Sequence, residues 1–230
     1  AMGPLVTQVK AHDLQDKGHI AKCKVLQIQM DYATNEQKKA FAELSKNPYD
    51  RKNLFSLEQN FINKSERRLK FVCNVIKKSK LNSLVLFHKL DYGEKIYNEL
   101  RKITDKKIYY VDGGVNSDIR EEFKSKMEKG DDVIIVASYG TFSTGISIKN
   151  IHNVFFTESF KSEVIIRQSI GRGLRKHHNK DTVKIYDFID DLRYKTDDHD
   201  WLNYIYRHGT VRRKIYKEEK FPYEVQNIKF

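Results

Sequence analysis

From Leu84 onward the chain predicts an α/β fold with a mostly parallel sheet, and three observations predict it. Short apolar runs recur between polar turns. Segments with apolar residues at three- and four-residue spacing lie between these runs. The two types alternate along the chain instead of clustering, which calls for right-handed crossovers and helices laid on the sheet.

Taken in order, Val25-Leu-Gln-Ile-Gln-Met30 alternates apolar and polar positions and reads as a strand entering the sheet at an edge. Residues 34–61 are rich in Lys, Glu and Asn and read as helical, broken at Asn47-Pro48 because proline lacks the donor a helix interior needs. Ser65 to Lys78 places Leu69, Val72, Cys73 and Ile76 on one stripe, an amphipathic helix whose apolar face joins the core. Strands then follow at Leu84–Phe87, Ile108–Val111, Val133–Ala137, Val154–Phe156 and Val183–Phe188, with helices at Tyr92–Ile103, Ser117–Lys129 and Glu163–Ile170. In such sheets ligands gather where strand C-terminal ends meet helix N-termini. The loop around Ser143 and the loop before Glu163 fall there.

Composition narrows the partners. Lys and Arg exceed Asp and Glu by 43 − 31 = 12, so the chain suits a polyanion, and nucleic acid fits best because no long apolar span or amphipathic anchor points to a membrane. Cys23 and Cys73 belong to no Cys-x-x-Cys pair, which argues against a zinc site or a disulfide framework and for a reducing, cytoplasmic compartment. The opening Ala1-Met2-Gly3 shows no charged leader or apolar signal core and looks like an internal cut, not a natural beginning.

The most informative stretch is Gln168-Ser-Ile-Gly-Arg-Gly-Leu-Arg175. On a helix, Arg172 and Arg175 share a face, and two guanidinium forks so spaced match the oxygens of a polyphosphate. The same octet also reads as a solvated basic helix face. Upstream, the apolar run Val133–Ala137 empties into Ser138-Tyr-Gly-Thr-Phe-Ser-Thr-Gly-Ile-Ser147, a hydroxyl-rich loop with two glycines. Its N–H groups and hydroxyls suit phosphate or ribose oxygens. No Gly-x-x-x-x-Gly-Lys-Ser/Thr loop occurs anywhere, so the chain has phosphate-gripping arginines without a phosphate-binding loop.

These features resemble the C-terminal half of superfamily 2 helicases, phage members among them. Leu84-Val-Leu-Phe-His88 resembles motif IV, Val133–Ile148 resembles motif V, and Gln168–Arg175 resembles motif VI. The tail, with Tyr204-x-x-Arg207-His208-Gly209 and Lys220-Phe221-x-Tyr223, resembles a C-terminal extension of the family. The resemblance implies a RecA-like three-layer sandwich with an N-terminal helical segment and a C-terminal helical extension. It divides the chain into a linker and edge strand (1–30), a helical lead-in (31–82), the second RecA-like domain (83–192) and the extension (193–230). Gly3-Pro-Leu-Val-Thr7 is similar to the exit from a first motor domain, which implies that the half carrying the phosphate loop and the acidic motif is missing.

In such a motor, ATP and Mg2+ sit between two domains and only the whole protein binds them; this fragment alone holds no cofactor or metal and does not hydrolyse ATP. The resemblance implies Arg175 as the finger on the γ-phosphate, Arg172 as its neighbour, and Gln168 as the reader of nucleotide state. Gly145, Ser147 and Gly171 would line the nucleotide, and His88, Lys89, Gly113, Ser143 and Thr144 would contact DNA. The implied partners are single-stranded or branched DNA, held mainly through phosphates, and the missing first domain in cis, with the protein acting as a monomer in phage recombination, repair or fork processing. A binding module that kept a motor-like fold without catalysis is the alternative.

Five other constellations have simpler readings. Asp187, Asp190 and Asp191 could mimic a magnesium-binding pair, but without a phosphate loop they read better as capping a turn or pairing with nearby arginines. Asp200, at the end of Asp197-Asp-His-Asp, reads as a helix N-cap before Trp201, and His177-His178 as a solvated turn. Asp112-Gly113-Gly114 reads as a positive-φ turn. In the tail, Arg207, Arg212, Arg213, Lys214 and Lys217 interleave with Tyr204, Tyr206 and Tyr216, a pattern that can bind phosphates and stack on bases, although packing of the tyrosines onto the domain is the plainer role.

Overall fold

Seven parallel strands form one sheet in the computed structural model, which describes residues 10–32, 35–46, 54–144, 148–159, 162–195, 200–201 and 203–230. In chain order the elements are α1 (Ala11–Asp16), β1 (Lys22–Asp31), α2 (Asn35–Ser45), α3 (Leu54–Lys64), α4 (Glu66–Lys78), β2 (Ser83–Phe87), α5 (Leu90–Ile103), β3 (Ile108–Val111), α6 (Ser117–Lys129) and β4 (Ile134–Ser138). They continue with α7 (Tyr139–Thr144), β5 (Asn153–Phe156), α8 (Glu163–Gly173), β6 (Thr182–Asp191), β7 (Tyr194–Lys195), β8 (Asp200–Trp201), α9 (Tyr204–Glu218) and β9 (Tyr223–Lys229). The sheet order is β3-β4-β2-β5-β6-β1-β9, and β7 and β8 pair separately as a short antiparallel ladder.

Both faces of the sheet are covered, so the inner strands read as unbroken apolar runs; β2 and β5 are buried at every position. One core joins Leu84, Leu86, Val154 and Phe156 to Phe142, Ile166, Ile170 and Ile215. The opposite core joins Val85, Phe87, Phe155 and Phe188 to Val72, Cys73, Ile76, Tyr92 and Ile96. The stripe expected on α4 is thus core, and Ser65 caps that helix by accepting the Arg68 N–H. Gly93 lets α5 lie flat on β2, because a Cβ there would stand 2.6 Å from the Phe87 ring.

Three expectations change. β1 is not an edge strand: β9 pairs along its outer side from Val25↔Tyr223 to Asp31↔Lys229. The exposed Lys22 and Lys24 precede that pairing, and the polar Gln27 and Gln29 are consumed by bonds to Asp187 at 2.9 Å and Asp191 at 3.1 Å. The tail is not wholly helical, since β9 closes the sheet. Asp200 is not the N-cap of α9; it pairs with Lys195 across β7 and β8, and the N-cap is Asn203. Residues 1–9, the Asn47-Pro48 break and Asp197–His199 lie outside the described residues.

The acidic residues of β6 pair with arginines, as expected. Asp187 and Asp190 stand three positions apart on a strand and so face opposite sides of the sheet. On one side Arg212 of α9 bonds Asp187 at 2.7 Å; on the other Arg68 of α4 bonds both oxygens of Asp190 at 2.7 and 2.8 Å. All four side chains are at most 1% exposed. Tyr216 donates to Asp187 at 2.9 Å and Tyr32 to Asp190 at 2.7 Å, completing the hydrogen bonding that buried charges require. Asp191 pairs with Arg193 at 2.7 Å. Arg212 is therefore part of the frame and is removed from any phosphate-binding surface.

Candidate nucleotide and nucleic-acid site

The motif VI helix α8 starts at Ser162, whose hydroxyl accepts the Ile165 N–H, and runs three residues past the expected Ile170. Its buried side is Ile166, Ser169, Ile170 and Gly173, and Gly173 permits close packing because a Cβ there would lie 3.1 Å from Val154 Cγ2. That leaves Gln168 and Gly171 exposed and Arg172 half-buried. A Cβ on Gly171 would meet nothing within 4 Å, so packing does not demand glycine there. The helix ends at Gly173 and Leu174 caps it, so Arg175 lies beyond the helix and the shared helical face expected for the two arginines stops short of it.

The arginines nevertheless stay close. The Arg175 N–H turns back to the Arg172 carbonyl at 3.5 Å, and burial first, then the Arg175 charge, hold Arg172 below its ordinary pKa. Two guanidiniums that repel each other favour an anion between them. Arg172 also lies over the Phe142 ring, 5.5 Å from its centroid, and Phe142 belongs to α7 in the motif V segment. This contact joins motif V to motif VI.

The topology sends the candidate residues to two ends of the sheet. Because α8 connects the end of β5 to the start of β6, its last turn lies at the strands' amino ends, where the Ala21 N–H donates to Leu174 O at 2.8 Å. His88, Lys89 and Gly113 lie at the carboxyl ends, after β2 and β3, and α7 and Ser162 begin there as expected. Lys180, which sequence reasoning passed over, is 4% exposed; its ammonium donates to Gly173 O at 2.8 Å and to Lys149 O at 2.5 Å. It ties the end of α8 to the segment leading into β5, and burial lowers it to about 8. Nothing in the local sequence distinguishes it from other lysines.

At the carboxyl end His88 and Lys89 are exposed, but their backbone N–H groups are already used. Both donate to Glu158 Oε2, at 2.5 and 2.9 Å, and Asn63 donates to Glu158 Oε1 at 2.7 Å. A buried carboxylate so closes the N-terminus of α5, leaving the side chains to meet a ligand. Glu58 of α3 does the same for α9, accepting from Tyr204 N at 2.8 Å and Ile205 N at 2.9 Å, and burial raises it to about 7. Neither glutamate was singled out from sequence, since each acts on a residue far away in the chain. Gly113 is exposed with open space around it, and neither it nor Gly114 has positive φ; the turn is held by Gly114 N–H on Asp112 Oδ1 at 2.8 Å and Arg120 on Gly113 O at 3.1 Å.

Gly145 and Ser147 lie outside the described residues, and Ser143 and Thr144 are described only by their backbone, in the last turn of α7. Among the described residues no group of three or more His, Cys, Asp or Glu could hold a metal ion, and no helix is long and apolar enough to cross a membrane. Guanidinium is the side-chain chemistry that suits the oxygens of a polyphosphate.

Comparison with known proteins concerns the domain and the fold. Residues 67–177 match the helicase conserved C-terminal domain. The ATP-dependent DNA helicase uvsW of Enterobacteria phage T4 is 39% identical over 153 residues, 64% of this chain and 30% of that protein. The crystal structure of T4 UvsW superposes with a TM-score of 0.72 at 32% identity, covering 91% of this chain and 42% of that one. The C-terminal domain of the DEAD-box protein Dbp5 shares the fold alone, with a TM-score of 0.52 at 13% identity over 88% of this chain and 90% of that one. The chain thus spans less than half the length of its phage relative. Parallel sheet and sequence similarity together show that residues 67–177 match the helicase conserved C-terminal domain and that the chain has a RecA-like helicase fold similar to that of T4 UvsW.

Proposed function

We propose that this chain supplies the arginine half of an ATP site and part of the DNA track of a motor acting on branched or forked DNA. The observation that carries the reading is the contact of Arg172 with Phe142, which links phosphate-facing arginines to the motif V helix. Arg175, exposed beyond the helix end, is the finger on the γ-phosphate, where it stabilises charge on the transferring phosphoryl group. Arg172 is its neighbour, and Gln168 and Gly171 stand on the same exposed surface of α8, with Gly145 and Ser147 completing the nucleotide contacts. His88, Lys89, Gly113, Ser143 and Thr144 meet the DNA backbone.

Nucleotide-driven movement of α8 then passes through Phe142 to the strand-contacting end of the sheet. ATP and Mg2+ are held only with a first motor domain in cis, because this sequence has no phosphate-binding loop, and the chain alone does not turn over ATP. The motor works as a monomer in the cytoplasm, in recombination, repair or fork processing. The test is DNA-stimulated ATP turnover in a protein carrying both motor halves. Arg175→Ala should lower it ~10³-fold or more with nucleotide binding retained; unchanged turnover overturns the assignment and favours a binding module.

A further inference from the structure

At the carboxyl end of the sheet a pocket of about 470 Å³ opens between elements that are far apart in sequence. Phe55 and Gln59 of α3, His88 of the motif IV loop, Ser162 at the head of α8, and Tyr204 and His208 of α9 are in its wall. The wall is largely aromatic. Phe55 and His208 pack with ring centroids 4.9 Å apart, and Tyr204, 39% exposed, stands at the mouth with the Arg207 guanidinium 5.9 Å from its ring.

We infer that this pocket takes one unpaired nucleobase from a DNA strand whose phosphates run past Lys89 and Arg207. The inference rests on the nucleic-acid reading given above and adds an element to it, base capture by the two segments flanking the motor domain. Donors and shape decide what enters. Beside the pocket the N–H groups of His88 and Lys89 already donate to Glu158 and those of Tyr204 and Ile205 to Glu58, so these helix-end donors are not available to a phosphate. A phosphate is kept outside, on the exposed Lys89 and Arg207, while a planar, uncharged base fits the aromatic interior. Stacking tolerates every base, so the pocket confers preference for unpaired strands without sequence specificity.

The test compares binding of this chain to an oligothymidylate and to an abasic strand of equal length and charge. The wild type should bind the base-bearing strand about 5- to 150-fold more tightly, the range expected of one stacked base. Tyr204→Ala should close that gap and Tyr204→Phe should keep it, both with the wild-type salt slope, since phosphate contacts are untouched. Tyr204 is exposed, so its replacement leaves the fold in place. Equal wild-type affinity for both strands, or a gap that survives Tyr204→Ala, overturns the pocket; if Lys89→Ala still weakens binding, the nucleic-acid reading stands. Absence of binding to either strand overturns both.

Discussion

Arg68→Met tests the buried frame of the fold. Arg68 is fully buried and donates to both Asp190 oxygens, to Thr157 O at 2.9 Å and to the Tyr92 hydroxyl. Without it Asp190 keeps only the Tyr32 hydroxyl as a side-chain donor among these bonds, and its charge stays buried without a counter-ion. Removing one partner of such a pair costs about 3–5 kcal/mol, a large share of the roughly 5–15 kcal/mol that holds a domain together. At about 2–4 °C per kcal/mol for a chain of this size, the melting point should fall by roughly 6–20 °C. Urea unfolding followed by far-ultraviolet circular dichroism measures the loss. The double variant Arg68→Met with Asp190→Leu should recover most of it, because both desolvation costs disappear together. A single-variant loss below about 1 kcal/mol, or a double variant no better than the single, would refute the reasoning.

Other consequences follow from buried groups. Burial raises Glu58 to about 7 from 4.5, so between those values the folded chain holds a proton that the unfolded chain has released. The stability this group confers is therefore fullest in acid and is lost as pH rises through about 7, by about 2–4 kcal/mol; urea midpoints across pH 5–8 should flatten by that amount in Glu58→Gln. Lys180→Met leaves the carbonyls of Gly173 and Lys149 without this donor and should cost about 1–3 kcal/mol in thermal unfolding, while Lys149→Met, exposed, should cost less than about 0.5. Burial pushes Cys23 and Cys73 up to about 12, so a thiol reagent at pH 8 should label them only on unfolding; fast labelling of the native chain would contradict the packing.

The strands and helices from Leu84 to Phe188, α7 apart, were legible in the sequence because each signal is local. A period of two or of 3.6 is set by neighbours a few residues away, and Gln168–Arg175 is a contiguous pattern. A partial signal for the ion pairs was also present: Arg68 sits four residues before Val72 on the apolar stripe of α4, and Asp187 and Asp190 interrupt an apolar strand. An arginine on a buried face requires an acid, but the sequence does not say which one.

Only the tertiary structure decided the rest. It moved β1 inward by laying β9 beside it, assigned Arg68 to Asp190 across 122 positions, and set Glu58 on an α9 terminus 146 positions away. It also put the motif VI arginines at one end of the sheet and His88 and Lys89 at the other, and gathered α3, α8 and α9 around one pocket. Register and partner choice depend on which chain segments meet in space, and that is settled by burial summed over the whole core, while composition, periodicity and motif are settled by the residues themselves.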